Sequence, residues 1–238
     1  MPLDIDHLVG FDLETTGADR ATALPVSYAL VTCIGDRPVA ELGGLVNPGV
    51  PIPPQSTEVH HITDEMVQDA VDLEEAADII VHRLLIASQD GEPVVGMNVS
   101  YDLTIADVLA RRFRGKGLVD LGWNGPVLDC IVLDRHFDRY RKGKRRLSDL
   151  CGVYGVELVD AHQARADVIA AVQVTAAILE RHSKSLGARD LHELTLRQSE
   201  WHCEWLTNYN DWRLRHGEAG VAPSEFSWPL AADINAAA

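Results

Sequence analysis

Residues 7–13 (HLVGFDL) form a short apolar run that carries Asp12 and leads directly to Glu14, ahead of a turn at Thr16-Gly17. Such a run predicts a buried strand. Side chains two apart on a strand leave the same face. The two carboxylates therefore stand side by side at the strand's carboxyl end, where open α/β sheets keep their sites. Acids this close repel one another unless positive charge lies between them. A solvated pair of acids at a strand end is the bland alternative. The apolar run before them and the glycine turn after them favour a built site.

The remaining pattern extends this strand into a domain. Residues 26–34 (VSYALVTCI) and 38–46 (PVAELGGLV), separated by Gly35-Asp36, read as a hairpin or meander. Residues 47–57 hold four of the eleven prolines and predict an ordered surface loop. Apolar spacing then predicts a helix over 73–87, a strand at VVGMN (94–98) and a helix over 102–112. A strand over 127–133 runs into a helix, followed by a short helix over 146–154 and an alanine-rich helix over 163–182. Strands first, then strands alternating with helices, indicate an α/β domain with a mixed sheet flanked by helices. From residue 190, Leu191, Leu194, Trp201, Trp205, Tyr209 and Trp212 recur at steps of three, four or seven without glycine or proline, as in an amphipathic helix. This gives a main domain over 1–187 and a C-terminal helical appendage, with its tail, over 188–238.

A chain of 238 residues suits one substantial core with such an appendage. No window approaches 18 consecutive apolar residues, and MPLDIDHLVG has acids where a signal peptide has bases, so the expectation is a cytoplasmic protein with no membrane contact. Cys33, Cys130, Cys151 and Cys203 form no CxxC pair, which excludes a zinc ribbon or redox motif and predicts reduced, mostly buried thiols. The formal charge of −15 runs against a polyanionic partner.

Asp102 follows the strand at 94–98, and Asp167 lies near the start of the alanine-rich helix. Each alone reads equally well as an acid in a first helical turn, favoured by the helix dipole. Together with Asp12 and Glu14 they are four acids predicted at strand ends and helix starts, which would converge on one cluster requiring cations. His162 precedes Asp167 by five residues, about 140° apart on an ideal helix, so it belongs on the preceding loop. An imidazole there can take a proton near neutral pH.

FDLETTG at 11–17, VHHITDEMV at 59–67, NVSYD at 98–102 and HQARAD at 162–167 resemble, in order, the motifs of the DEDDh exonucleases. These are ribonuclease H-like 3'-to-5' exonucleases that include the proofreading epsilon subunit of bacterial DNA polymerase III. The resemblance covers residues 7–182. It implies that Asp12, Glu14 and Asp167 bind one divalent cation and Asp102, with a shared Asp12, a second. The two would be magnesium or manganese ions, and His162 would be the general base toward the attacking water. It also implies that Leu13, Thr15 and Thr16 meet the terminal nucleotide, with His60, His61 and Asn98 nearby. The chain departs from many relatives at His61, Tyr101 and Met97, where glycine, phenylalanine and histidine are usual.

The implied function is hydrolysis of single-stranded or frayed DNA 3' ends to nucleoside 5'-monophosphates, in repair or proofreading. The alternatives are an RNA 3'-end exonuclease and a catalytically silent end-binding module; the latter is disfavoured because all five core residues are present. Two divalent cations would take −15 only to −11. Bases cluster locally, however, at Arg111, Arg112, Arg114 and Lys116, and again at Arg139, Arg141, Lys142, Lys144, Arg145 and Arg146. The second stretch is a candidate phosphate-backbone contact, with Tyr140 available for stacking; a solvated basic loop is the alternative. The aromatic stripe of the tail either packs on its own domain or serves a homodimer or a polymerase partner.

Overall fold

The computed structural model describes residues 5–158 and 163–231. Three antiparallel strands open the chain: β1 (His7–Thr15), β2 (Pro25–Ile34) and β3 (Arg37–Leu45). The loop expected over 47–57 gives way to helix α1 (Pro54–His60). Pro54 opens α1 at a position whose missing N–H would have had no helical partner. After the short α2 (Asp64–Val67) come α3 (Leu73–Asp90), β4 (Val94–Gly96) and α4 (Val99–Arg114). The strand expected over 127–133 is only β5 (Val127–Asp129), because Asp129 caps α5 (Cys130–Phe137) by accepting the Ile131 N–H. Then follow α6 (Leu147–Tyr154), α7 (Ala164–Arg181) and α8 (Leu191–Arg215).

The sheet order is β3-β2-β1-β4-β5, with β1 antiparallel to β2 and parallel to β4. It is the mixed sheet flanked by helices that the pattern indicated, in the ribonuclease H-like form that the resemblance implied. Alternation along β1 divides the interior. Val9, Phe11 and Leu13 face a core shared with α3 and α4. Leu8 faces the opposite core, with Val168 and Val172 of α7. Asp12 and Glu14 have the parity of Leu8, so the strand turns them toward α7. Cys33, Cys130 and Cys151 are buried thiols and Cys203 is exposed. No helix among the described residues is long and apolar enough to cross a membrane.

The N-terminal half of α8 completes the sheet edge. A terminal strand leaves a row of unpaired backbone groups that must be covered. Here Val127 N–H donates to Thr195 Oγ1 (2.9 Å), the Gln198 amide donates to the Val127 carbonyl (2.8 Å), and Asp129 N–H donates to Gln198 Oε1 (2.8 Å). Gln198 is fully buried. Two side chains one helical turn apart thus do the work of a sixth strand.

Gln198→Leu keeps the volume but removes both bonds. It should destabilise the chain by about 1–3 kcal/mol for each buried group left unpaired. That corresponds to a Tm fall of about 2–4 °C per kcal/mol, measurable by thermal denaturation, and an unchanged Tm would contradict this account of the edge.

Candidate active site

Gly10 brings the two halves of the site together. A Cβ there would lie 2.3 Å from Val168 Cγ1 and 3.0 Å from Val172 Cγ2, so only glycine lets α7 seat this closely on β1. That seating carries Asp167, in the first turn of α7, over the end of β1. Carboxylate oxygens of Asp12, Glu14 and Asp167 then lie within 4.8 Å of one another.

Asp102 sits in the first turn of α4, not at the helix start, with 3% exposure. Its carboxylate accepts the Leu13 N–H at 3.0 Å, which ties α4 to the backbone between Asp12 and Glu14. Burial and the charges of Asp102, Glu14 and Asp167 hold the Asp12 carboxyl well above the usual carboxylate range. Burial, then Asp167, raises Glu14 from 4.5 to about 7. Burial also raises Asp102, opposed by the Leu13 N–H. An all-oxygen donor set that resists carrying its own charge fits a hard divalent cation.

The sequence reading missed one further buried acid. Asp129, 1% exposed, accepts the Asn98 N–H at 2.9 Å and the Ile131 N–H at 3.1 Å, and burial raises it to about 6. Asn98 is the left-handed residue (φ 59°) from which α4 starts, so Asp129 fixes the helix that carries Asp102. The signal was present: Asp129, like Asp12, is an acid set within an apolar run.

The acids lie between two hollows. One, of about 300 Å³, is bounded by Asp12, Asp167, Asn98 and Arg146. The other, of about 570 Å³, is bounded by Glu14, His60, His61 and Arg165. Asn98 and His61 are exposed, and His61 is left-handed at φ 62°. His60 is buried, with Nδ1 accepting the Ile62 N–H. Leu13 is a core side chain and Thr16 Oγ1 accepts the Leu24 N–H. Thr15 Oγ1 donates to the Gly17 carbonyl and bonds the Tyr101 hydroxyl at 2.7 Å; that hydroxyl also bonds Gly17. Tyrosine at 101, one of the chain's departures, thereby latches the turn after β1 to α4. His162 lies outside the described residues.

The basic stretch is divided in its roles. Arg141 and Arg145 donate to the fully buried Asp134 at 2.8 and 2.6 Å, and Tyr154 bonds its other oxygen at 3.0 Å. Arg139 pairs with Glu204 and Arg146 with Asp149, both at 3.0 Å. Lys142 and Lys144 make no ion pair among the described residues.

Comparison with known proteins places this arrangement in a family. A family model described as "Exonuclease" (RNase_T) matches residues 9–175. The chain belongs to the RNase_T exonuclease family. That is the DEDDh, ribonuclease H-like group whose motifs the sequence resembles. Among relatives of this exonuclease-family chain, a PolC-type DNA polymerase III of Lacticaseibacillus paracasei is 29% identical over 189 residues, 79% of this chain and 12% of the polymerase. A DNA polymerase III subunit epsilon-like protein of Rhodobacter capsulatus is 36% identical over 135 residues, 56% of this chain and 18% of that protein. The chain thus spans less than a fifth of either relative. E. coli Exonuclease I in complex with a thymidine oligonucleotide shares the fold at a TM-score of 0.63 and 16% identity, covering 75% of this chain and 42% of that one.

The raised acids have a consequence for pH. Glu14 binds its proton up to about pH 7 when folded and only to 4.5 at its usual value. The metal-free folded state therefore holds the extra protons, and its stability falls as pH rises through that window. A divalent cation replaces those protons, so its stabilising effect should grow over the same window. The Tm shift on adding manganese should be larger near about pH 8 than near about pH 5, and Glu14→Gln should flatten the difference. Equal shifts at both would contradict this reading.

Proposed function

We propose that the chain is a two-metal-ion 3'-to-5' exonuclease that hydrolyses single-stranded or frayed DNA ends to nucleoside 5'-monophosphates, in repair or proofreading. The observation that carries this is the cluster of Asp12, Glu14 and Asp167 with Asp102 alongside, gathered at one sheet end between two hollows. Asp12, Glu14 and Asp167 would hold one magnesium or manganese ion, and Asp12 with Asp102 the other. Cations so held would supply Lewis-acid activation of water and would neutralise charge building on the phosphodiester.

The chain's own groups supply the rest. His162 takes the proton of the attacking water. Arg146, on the wall shared with Asp12 and Asp167, holds a non-bridging phosphate oxygen. Leu13, Thr15 and Thr16, beside the turn that Tyr101 latches to α4, meet the terminal nucleotide, and that contact gives 3' polarity. The relatives' names support work beside a polymerase, and Exonuclease I in complex with an oligonucleotide supports DNA as the substrate.

The test is end-labelled single-stranded DNA, duplex DNA and RNA incubated with magnesium or manganese. We expect mononucleotides released from the 3' end, fastest from single-stranded DNA. Asp12→Ala should lower the rate by at least about a hundredfold, since even outer partners of metal ligands cost about 10- to 100-fold. Release from the 5' end, or activity surviving Asp12→Ala, would refute the proposal, and faster cleavage of RNA would move the substrate.

A further inference from the structure

The outer face of α8 carries a row of rings that the site does not use. Trp201, Trp205, Tyr209, Trp212 and His216 recur at steps of four, four, three and four, which places them on one helix face. Trp201, at the inner end, is packed, its ring stacked on His136 at 3.7 Å. Beyond it Trp205 and Tyr209 are parallel to within 15° at 5.2 Å, and Tyr209 and Trp212 to within 8° at 6.2 Å. Trp212 is 44% exposed. The Arg135 guanidinium lies 3.4 Å over the Trp205 ring and makes no ion pair among the described residues.

Trp201, Trp205 and Tyr209 line a groove of about 390 Å³ together with Arg135, Arg139 and Tyr140. Tyr140 is 89% exposed, far more than a packing tyrosine would be. Arg139, however, is neutralised in the groove by Glu204.

The basic loop runs from this groove to the acid site. Tyr140 borders the groove and Arg146 borders the hollow of Asp12 and Asp167. Six residue steps separate them, at most about 20 Å. The grip of Arg141 and Arg145 on buried Asp134 fixes this loop, while Lys142 and Lys144 stay exposed along it. Aromatic faces beside a guanidinium, with the exposed Lys142 and Lys144 on the loop that leads to the acid site, suit a single nucleic-acid strand better than an apolar protein surface.

We propose that this groove is a distal single-strand subsite that stacks bases lying 5' of the scissile nucleotide, with Lys142 and Lys144 bridging the phosphates between. The proposal rests on the exonuclease reading and adds to it a need for several unpaired nucleotides.

The experiment compares the full chain with Tyr140→Ala/Tyr209→Ala and with Glu204→Gln. Each is assayed on an oligothymidylate of about twelve nucleotides and one of about three, bracketing the lower range of single-strand sites. Loss of the rings should raise the ratio of KM for the long strand to KM for the short one by about tenfold, from the usual strength of base stacking. Glu204→Gln frees Arg139 and should lower that ratio. Fluorescence anisotropy of the same labelled strands without divalent metal reads binding independently of hydrolysis. It keeps the groove testable even if no strand is cleaved, the outcome that would refute the exonuclease reading instead. A ratio and an affinity that ignore both variants would overturn the subsite. So would a sedimentation shift from dimer to monomer with unchanged strand affinity, which would make the face a protein interface.

Discussion

Crowding of like charge at the end of β1 is the constraint on which the rest of the structure depends. Three carboxylates within 4.8 Å of one another, with Asp102 beside them, cannot all ionise at low cost. At an effective dielectric near 20, each ionised pair at that separation costs about 3–4 kcal/mol. The fold does not relieve this by spreading the acids. Strand parity fixes Asp12 and Glu14, the Gly10–Val168 approach fixes Asp167, and the Leu13 amide fixes Asp102. Protons can relieve the repulsion at low pH and divalent cations above it, so the backbone builds a site that is complete only with added positive charge.

Much of this was legible in the sequence. The apolar run ahead of Asp12 and Glu14, and the order of strands and helices after it, follow from periodicity, and periodicity is what the sheet obeys. Tertiary relations were not legible. Helix α1 was hidden by prolines that, at a helix start, cost nothing. Asp129 was passed over although it lies within an apolar run as Asp12 does, because only the fold sets it against the Asn98 amide. Spacing showed six bases within eight residues but not which were spoken for; the buried Asp134 that claims Arg141 and Arg145 lies on α5, ahead of the loop. The Tyr101 hydroxyl looked like a departure from pattern and is a latch on the turn after β1.

The C-terminal helix joins these themes. Its inner half completes the sheet edge through Thr195 and Gln198, and Gln198 also holds the amide of Asp129, whose carboxylate holds the start of α4. The segment beyond the family match is therefore bonded to the same backbone that orients Asp102. Its outer half leaves aromatic rings toward the basic loop. An overall charge of −15 is compatible with a polyanionic substrate because the cations that matter are local and the arginines with structural duties hold that loop in place.

The central claim is that the acids at the end of β1 are a paired cation site. Diffraction from crystals grown with manganese, recorded at the manganese absorption edge, tests it most directly. The account predicts two anomalous peaks about 3.5–4 Å apart, one touched by Asp12, Glu14 and Asp167 and the other by Asp12 and Asp102. No peak at these carboxylates under saturating manganese, or peaks only at other surface acids, would contradict it.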